Sequence, residues 1–379
     1  MTFEGLIPGA ADGGRRLRRL LATGLAGALT GAAAVSPAAA GDAGKLRMEV
    51  HGFVERWLGV ADNDDGFQRA NGPFSEFNIV SDGEIRISGK KVLDNGLEVV
   101  VKVQFDTQTS VQQIQESYVE LTLPAWGVLQ LGSVDNAATK GHVSAPDVGI
   151  GAQDGDTPLW VRTPRTFSDG TITYFSPFNP KARKISYYSP EYAGFSFGTS
   201  YTPDLQSTAT IPTGDVNSAW SAVVMYKRQD ESGAWIFADL GYGHADKSAT
   251  SNSSDVWQAG LLAGYGAWSV GGSLALLGAD REGEVAGTFL DGYIFDVGVS
   301  WKRGALATSL VWLHSVAEGS NAIDADDRRE TVQASAALDL GPGVALKGSL
   351  FWMLYDDETS LPANNNEGFG GVLGMVVQF

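Results

Sequence analysis

The chain has 379 residues, of which 43% are hydrophobic and only 19% charged, and its formal net charge is −17. A strongly acidic chain repels the phosphate backbone, which excludes nucleic acid as a partner. The sequence contains no cysteine, which excludes disulfides and thiolate catalysis, and its 48 glycines favour β-structure with many turns over long helices.

The first forty residues have the layout of a secretory signal peptide. Four arginines between positions 15 and 19 precede an apolar run of small residues from 20 to 35, and a small-residue segment ends at Ala40. The alternative is an uncleaved membrane anchor, but the run is shorter and richer in glycine and alanine than a spanning helix. We therefore predict that 1–40 is a cleaved signal peptide and that 41–379 forms a single β-barrel.

From residue 46 onward the apolar residues recur with period two, which indicates β-strands. In Tyr293, Phe295, Val297, Val299 and Trp301, for example, one face is wholly apolar. Sixteen strands are predicted on this basis. They lie near 46–59, 74–92, 96–106, 113–123, 126–133, 182–189, 194–202, 219–227, 234–242, 256–265, 267–277, 289–301, 304–313, 329–340, 342–354 and 368–379.

The connections between these strands alternate strictly between two lengths. Seven are short turns, such as Asp94-Asn95-Gly96, and eight are longer polar loops. A soluble β-sandwich does not require every second connection to be short, and no repeat of fixed length supports a β-helix. A membrane barrel does have short periplasmic turns at one end and long external loops at the other. We predict an all-β fold, a 16-stranded antiparallel transmembrane β-barrel in the outer membrane.

Several segments resemble the general diffusion porins of Gram-negative bacteria, in particular the alphaproteobacterial type. The resemblance is carried by 81–98, by 116–132, by 184–195 and by the terminal Phe379. It implies a homotrimer embedded in outer-membrane lipid and lipopolysaccharide, and passive diffusion of small hydrophilic solutes. It also implies that Phe379 is the assembly signal read by the barrel-assembly machinery. The third loop lacks the Pro-Glu-Phe-Gly-Gly type of motif found in some members.

The inward side of the strands follows from their parity. A lysine or arginine on the lipid face costs about 2–4 kcal/mol at mid-bilayer, so the charged parity is assigned to the lumen. This assignment predicts a charged pore wall on the first four strands and the sixth. Its members are Arg47, Glu49, Arg86, Lys90, Glu98, Lys102, Glu120 and Lys184.

The third loop, 134–181, is too long for a plain connection. A sixteen-stranded barrel has a wide lumen, so we expect this loop to fold inward as the constriction. Its carboxylates Asp147, Asp154 and Asp156 are then expected opposite the basic wall residues, with a transverse field across the opening. The alternative is that these are solvated loop charges without a shared role.

A calcium site in the first external loop is a further expectation. Asp62, Asp64 and Asp65 offer oxygen ligands, although their spacing is not that of an EF-hand. Solvation of an acidic loop explains the same residues. No other cofactor is expected.

Catalysis finds no support, because the four histidines are scattered and no hydrolase, metalloprotease or P-loop motif is present. Three functions remain. The first is a general diffusion porin with a mild preference for cations, since acidic residues outnumber basic ones. The second is a substrate-selective channel of the same fold, and the third is a structural or adhesive barrel without a useful pore.

Overall fold

The computed structural model describes residues 45–107, 114–123, 125–152, 157–167, 181–205, 218–246, 253–279, 291–318, 323 and 325–379. The predicted signal peptide lies outside these residues, as do Asp154 and Asp156 of the third loop. Among the described residues, no helix is both long and apolar enough to cross a membrane.

Sixteen antiparallel strands form one closed barrel, in which each strand pairs with its neighbours in sequence and the first pairs with the last. The strands are β1 (Arg47–Ala61), β2 (Phe77–Val92), β3 (Glu98–Asp106), β4 (Ile114–Leu123), β5 (Gly127–Ser133), β6 (Arg183–Tyr188), β7 (Phe195–Thr202), β8 (Ala219–Gln229), β9 (Trp235–Ala245), β10 (Ser254–Tyr265), β11 (Trp268–Ala279), β12 (Gly292–Arg303), β13 (Leu306–Glu318), β14 (Asp326–Gly341), β15 (Val344–Asp356) and β16 (Asn366–Gln378). The predicted fold class is therefore confirmed.

The seam between β1 and β16 closes at the terminal residue. The backbone N–H of Gly52 donates to the carbonyl of Phe379 at 2.9 Å, and the N–H of Phe379 donates back at 3.0 Å. The ladder continues from Phe53 opposite Gln378 to Ala61 opposite Gly370. Between Gly52 and Ala61 closure leaves no unpaired strand edge along this seam, which a lipid environment requires.

The strand alternation separates an apolar outer face from a polar inner face. On β12, Val297 is 45% exposed on the outside, whereas Asp296 is 3% exposed and points inward. Exposed aromatic side chains gather near both ends of the strands, including Trp126, Tyr265 and Trp268 near the turns. Others lie near the loops, including Trp257, Trp312 and Phe369. Two such girdles mark the membrane interfaces.

The short connections are tight turns in which glycine supplies the unusual backbone conformation. β10 and β11 are joined by two residues, and Gly266 adopts φ 59° there. The β12–β13 turn uses Gly304 in the same way. A side chain at such a φ is strained, which explains why glycine recurs at this end of the barrel.

Several strands extend further on the loop side than the sequence predicts, although β2 and β12 begin three residues later than predicted. β13, for example, is predicted to end at 313 but pairs as far as Glu318, which lies opposite Asp326. Apolar patterning ends at the membrane interface, whereas backbone pairing continues into water. The first loop also contains a short helix, α1 (Asp65–Asn71), that the period-two analysis did not predict.

The hydrophobic core lies inside the barrel, between the wall and the third loop (134–181, hereafter L3). L3 begins with the short helix α2 (Ala137–Gly141), whose alanines pack against Val223 and Ile294. A second cluster packs Trp160 and Val161 of L3 against the wall. Trp57 belongs to this cluster and is 1% exposed, so it does not join the girdles that tryptophans near strand ends usually form. Its position on the inward parity of β1 explains the difference.

Candidate pore constriction

L3 is held to the inner wall by buried carboxylates at its beginning. The Nδ1 of His142 lies 3.0 Å from the Oδ1 of Asp239 on β9, and the backbone N–H of Val143 donates to Oδ2 at 2.9 Å. The side chain of Asp239 is wholly buried, and that of His142 is 4% exposed. A buried carboxylate requires such donors because it has lost its water. Asp239 thus fixes the point where α2 ends.

Further along, the loop backbone is tied to successive strands. The N–H of Ala145 donates to Asp296 on β12 at 2.6 Å. The N–H groups of Val148 and Ile150 each donate at 3.1 Å, to a serine hydroxyl on β13 and β15 respectively. L3 therefore follows the inner wall, where small polar side chains satisfy backbone groups that a buried loop would otherwise leave unpaired.

Asp147 anchors L3 and does not face the basic wall as the sequence predicts. Its Oδ1 accepts from the N–H of Gly149 at 2.8 Å and from the Ser309 hydroxyl at 3.2 Å. Its Oδ2 accepts from the N–H of Ala152 at 2.9 Å and from Gln333 at 2.7 Å. All these donors lie on L3 or on the wall behind it. The carboxylate is used for packing, and its placement across the opening is corrected.

The described return limb of L3 crosses to the seam of the barrel. The N–H of Arg162 donates to Asn63 at 2.9 Å, and Asn366 donates to the Arg162 carbonyl at 2.7 Å. The Thr166 hydroxyl donates to Asp357 at 2.8 Å. L3 thus lines the wall from β7 round to β1, and the open space remains between the loop and strands β1–β4.

That space contains a cavity of about 610 Å³. Its lining has both charge signs, with six carboxylates and five lysine or arginine side chains. These residues are Glu49, Glu84, Arg86, Lys90, Glu98, Lys102, Glu116, Glu120, Asp135, Lys140 and Lys181. Six of the eleven come from the predicted pore-lining set, and strands β1–β3 supply most of them. A cavity so charged is suited to water, ions and polar solutes.

Three basic residues of the wall are paired with carboxylates beside them. Arg86 lies 2.6 Å from Glu84, Lys90 lies 2.7 Å from Glu98, and Lys102 lies 3.3 Å from Glu120. Arg86 also donates to Gln104 at 2.9 Å. Positively and negatively charged side chains therefore alternate on this wall, and it is not a uniformly basic surface.

L3 itself contributes cations to this cavity. Lys140 of α2 donates to Gln130 at 3.1 Å and lies 5.0 Å from the centre of the Tyr118 ring. Lys102 approaches the same ring from the wall, at 5.5 Å. Loss of hydration inside the barrel lowers the pKa of the Lys140 ammonium, and the charges of Glu116 and Asp135 oppose that shift. L3 therefore presents positive as well as negative charge to the cavity.

The remaining predicted pore residues lie elsewhere. Lys184 is on the inward face of β6, but it is 3% exposed and donates to the carbonyls of Val134 and Ala182 beneath L3. Arg47 begins β1 opposite Lys90 and does not line this cavity. Asp154 and Asp156 belong to the part of L3 outside the described residues.

Sequence reasoning missed Gln115, which donates to Asp106 at 3.0 Å and accepts from Lys181 at 2.7 Å. On β4 it precedes Glu116, and strict alternation would place it on the lipid side. The β3–β4 register shifts there, because Gln104 pairs with Glu116 and Phe105 with Ile114. Such a bulge re-aims one side chain. The sequence signal for this bulge is a polar residue at a strand position where alternation predicts an apolar, lipid-facing one.

The acidic first loop has a structural role in the folded chain. Oδ1 of Asp64 accepts from the N–H groups of Gly66 and Phe67 as the N-cap of α1, and Asp65 lies 3.8 Å from Arg69. Calcium at Asp62, Asp64 and Asp65 stays a prediction. Within the described residues, the three carboxylates that do converge are Asp327, Asp357 and Glu358, with ligand atoms within 4.8 Å of one another.

Comparisons with known proteins agree with this architecture. A family model described as Gram-negative porin matches residues 27–358. The sequence matches no curated protein.

Three solved structures illustrate the shared fold. The anion-selective porin from Comamonas acidovorans is 18% identical at a TM-score of 0.59, and the alignment covers 88% of this chain and 100% of that one. OmpT of Vibrio cholerae, in its trimer form, is 12% identical at a TM-score of 0.61, and the alignment covers 89% of this chain and 100% of that one. The outer membrane channel DcaP of Acinetobacter baumannii is 11% identical at a TM-score of 0.60, and the alignment covers 90% of this chain and 100% of that one. At sequence identities this low, the comparisons establish a shared fold but not a shared solute or ion selectivity.

Proposed function

Because the chain belongs to the Gram-negative porin family, we propose that it lets small hydrophilic solutes and ions diffuse passively through its lumen, with a mild preference for cations. It is an integral β-barrel of the outer membrane and a porin channel, and its family and fold point to a channel rather than an enzyme. The observation that carries the proposal is the charged cavity left between L3 and the wall of β1–β4.

The cation preference rests on the balance of charge in that cavity. Six carboxylates face five lysine or arginine side chains, and three of the basic groups are already paired with carboxylates. A net negative lumen concentrates cations, but mobile ions screen the field within about 8–10 Å at physiological ionic strength. The preference is therefore mild. The Comamonas porin is anion-selective, but 18% identity does not carry that property to this chain.

Conductance across planar bilayers under a tenfold KCl gradient tests both parts. We expect discrete channel openings and a reversal potential with the sign for K⁺ over Cl⁻. A protein that inserts without conducting would contradict the channel, and a Cl⁻-selective reversal potential would contradict only the cation preference.

A homotrimer surrounded by outer-membrane lipid and lipopolysaccharide is part of the same proposal. It is supported by the apolar outer face and by the trimer form of the structurally similar OmpT. We also assign Phe379 to recognition by the barrel-assembly machinery. Its deletion removes two backbone hydrogen bonds to Gly52 at the seam, so we expect less heat-resistant oligomer on gels and poorer insertion. Wild-type yield from the deletion would show that another signal drives assembly.

A further inference from the structure

Two lysines of L3 face the cavity without a carboxylate partner. In the part of the chain that the structure describes, no Asp or Glu oxygen lies within 4.0 Å of the Nζ of Lys140 or Lys181. Each donates to a neutral glutamine oxygen instead, Lys140 to Gln130 at 3.1 Å and Lys181 to Gln115 at 2.7 Å. These two ammonium groups keep their positive charge available to a solute.

Two carboxylates of the same cavity likewise have no oppositely charged side chain beside them. Glu116 on β4 and Asp135 at the start of L3 line it, and no lysine or arginine nitrogen among the described residues lies within 4.0 Å of either carboxylate. Glu116 accepts only a long hydrogen bond, 3.4 Å, from the backbone N–H of Asp135. The wall pairs nearby, such as Arg86 with Glu84 at 2.6 Å, neutralise each other.

The elements that present these charges are held in place. Lys140 projects from α2, which is fixed by the hydrogen bond from Ala137 N–H to Ser200 at 2.7 Å and by its Asn136 cap. Its ammonium lies over the ring of Tyr118, which is 8% exposed. Low-dielectric walls strengthen attraction to unpaired charges relative to bulk water. The lowered pKa of Lys140 agrees with an ammonium that lacks a close counter-charge.

We propose that Lys140 and Lys181, together with Glu116 and Asp135 in the lining of the same cavity, form a subsite for small zwitterionic solutes of the amino-acid class. The solute carboxylate binds the loop lysines, and the solute ammonium binds the two carboxylates. The inference rests on the proposed channel function and names a class of solute for it. The volume of about 610 Å³ lies within the usual range of small-molecule sites.

The charge arrangement discriminates against the other solute classes. A simple anion is attracted by the two lysines but repelled by Glu116 and Asp135. A simple cation is attracted by the two carboxylates but repelled by the lysines. A neutral polyol of equal size gains from neither pair. Only a solute with both charges satisfies both pairs at once, so specificity comes from the unpaired groups and not from the net charge.

The experiment measures block of single-channel current in planar bilayers at low KCl, where screening is weak. Alanine is added as the zwitterion, acetate as the anion, ethylammonium as the cation and glycerol as the neutral solute. We expect saturable block by alanine, with a half-blocking concentration at least about tenfold lower than that of the other three. Tenfold corresponds to about one charge-assisted hydrogen bond.

Variants on both sides of the subsite complete the test. Lys140→Gln and Glu116→Gln are each expected to raise the half-blocking alanine concentration by about tenfold, again the equivalent of one charge-assisted hydrogen bond. Lys91→Gln is the matched control, because Lys91 alternates with cavity-lining Lys90 and therefore lies on the outer face. Heat-resistant oligomer on gels and unitary conductance in KCl verify that each variant is folded.

The outcomes separate this inference from the channel function. If acetate blocks as well as alanine and Glu116→Gln strengthens the block, the site binds anions and the proposal is overturned. If all four solutes block equally, no subsite exists, yet the channel function stands. If no current flows in KCl, the channel function itself fails.

Discussion

The inner surface of the barrel has two halves that share the same polar alternation but use it differently. On the anchoring wall, β9–β15, the inward carboxylates Asp239 and Asp296 are 6% and 3% exposed and accept from backbone groups of L3. On the open wall, β1–β4, inward charges such as Glu49 and Arg86 line the cavity. An inward carboxylate is therefore a pore charge on one wall and a loop anchor on the other.

The charges of the two walls also differ in how much they contribute to the stability of the fold. An anchoring carboxylate is dehydrated, so losing its loop partners leaves buried groups unsatisfied and destabilises the fold. An open-wall charge remains hydrated, and its salt bridges contribute little to stability. Mutations on the anchoring wall should thus change the shape of the pore and its stability. Mutations on the open wall should change which ions pass.

The largest effect is expected from Asp239→Ala. The substitution leaves His142 and the N–H of Val143 without their acceptor and costs about 3–5 kcal/mol. L3 should detach locally at the end of α2, which gives larger and noisier single-channel currents and a lower thermal unfolding temperature. Glu231→Ala in the exposed β8–β9 turn is the control. Unchanged currents would show that L3 does not depend on this anchor.

Asp147→Asn tests the assignment of that residue to the anchor rather than to the pore. The amide nitrogen cannot accept, so both donors on the oxygen that it replaces lose their acceptor, either Gly149 and Ser309 or Ala152 and Gln333. The cost is about 1–3 kcal/mol per unsatisfied donor. We expect altered conductance but an unchanged reversal potential. A shift of the reversal potential toward Cl⁻ would return Asp147 to the lumen, as its sequence position suggests.

Strand positions and lumen-facing parity could be predicted because both follow from local alternation under the constraint of a bilayer. Glu49, Arg86, Lys90, Glu98, Lys102 and Glu120 line the cavity on that basis. The path of L3 could not be predicted, because it depends on contacts such as that of Asp147 with Gln333, which lie 186 positions apart. Asp147 is consequently misplaced, while Lys140 is overlooked.

Two further side chains lie where local alternation alone does not place them. Gln115 points inward, to Gln104 and Lys181, only because a bulge in β4 interrupts the period of two. Trp57 is buried under L3 although tryptophans near strand ends usually belong to the girdles. The pairing of β4 with β3 decides the side on which Gln115 lies. Parity places Trp57 inward, and its burial comes from L3, which is distant in sequence.

A third anchor, where the return limb of L3 meets the last external loop, predicts a pH effect. Burial and the neighbouring Asp327 raise the pKa of Glu358 to about 7, and Glu358 follows Asp357, which holds Thr166. An unfolded glutamate titrates near pH 4.3, so the folded state holds this proton more tightly. This stabilisation is complete below about pH 4.3 and is lost as the pH rises through about 7.

The measurement is the difference in unfolding temperature between the wild type and Glu358→Gln across this pH range. The variant should match the wild type at low pH and unfold at a higher temperature above pH 7, where the wild-type carboxyl has lost its proton. Asp326→Asn, at the exposed start of β14, controls for a general change of charge. Parallel curves for wild type and Glu358→Gln would rule out Glu358 as the source.

The smallest effect on stability, and the sharpest on selectivity, is expected on the open wall. Arg86→Gln combined with Lys102→Gln removes two positive charges and leaves Glu84 and Glu120 without their partners at 2.6 and 3.3 Å. Both bridges are partly exposed, so unfolding should change by less than about 1 kcal/mol each. The preference for K⁺ over Cl⁻ should rise, but by less than about tenfold in a wide, screened lumen. The rise should vanish in concentrated KCl, where the Debye length falls to about 3 Å. A reversal potential that moves toward Cl⁻, or a shift that survives high salt, would mean that the altered shape of the wall, and not its charge, controls which ion passes.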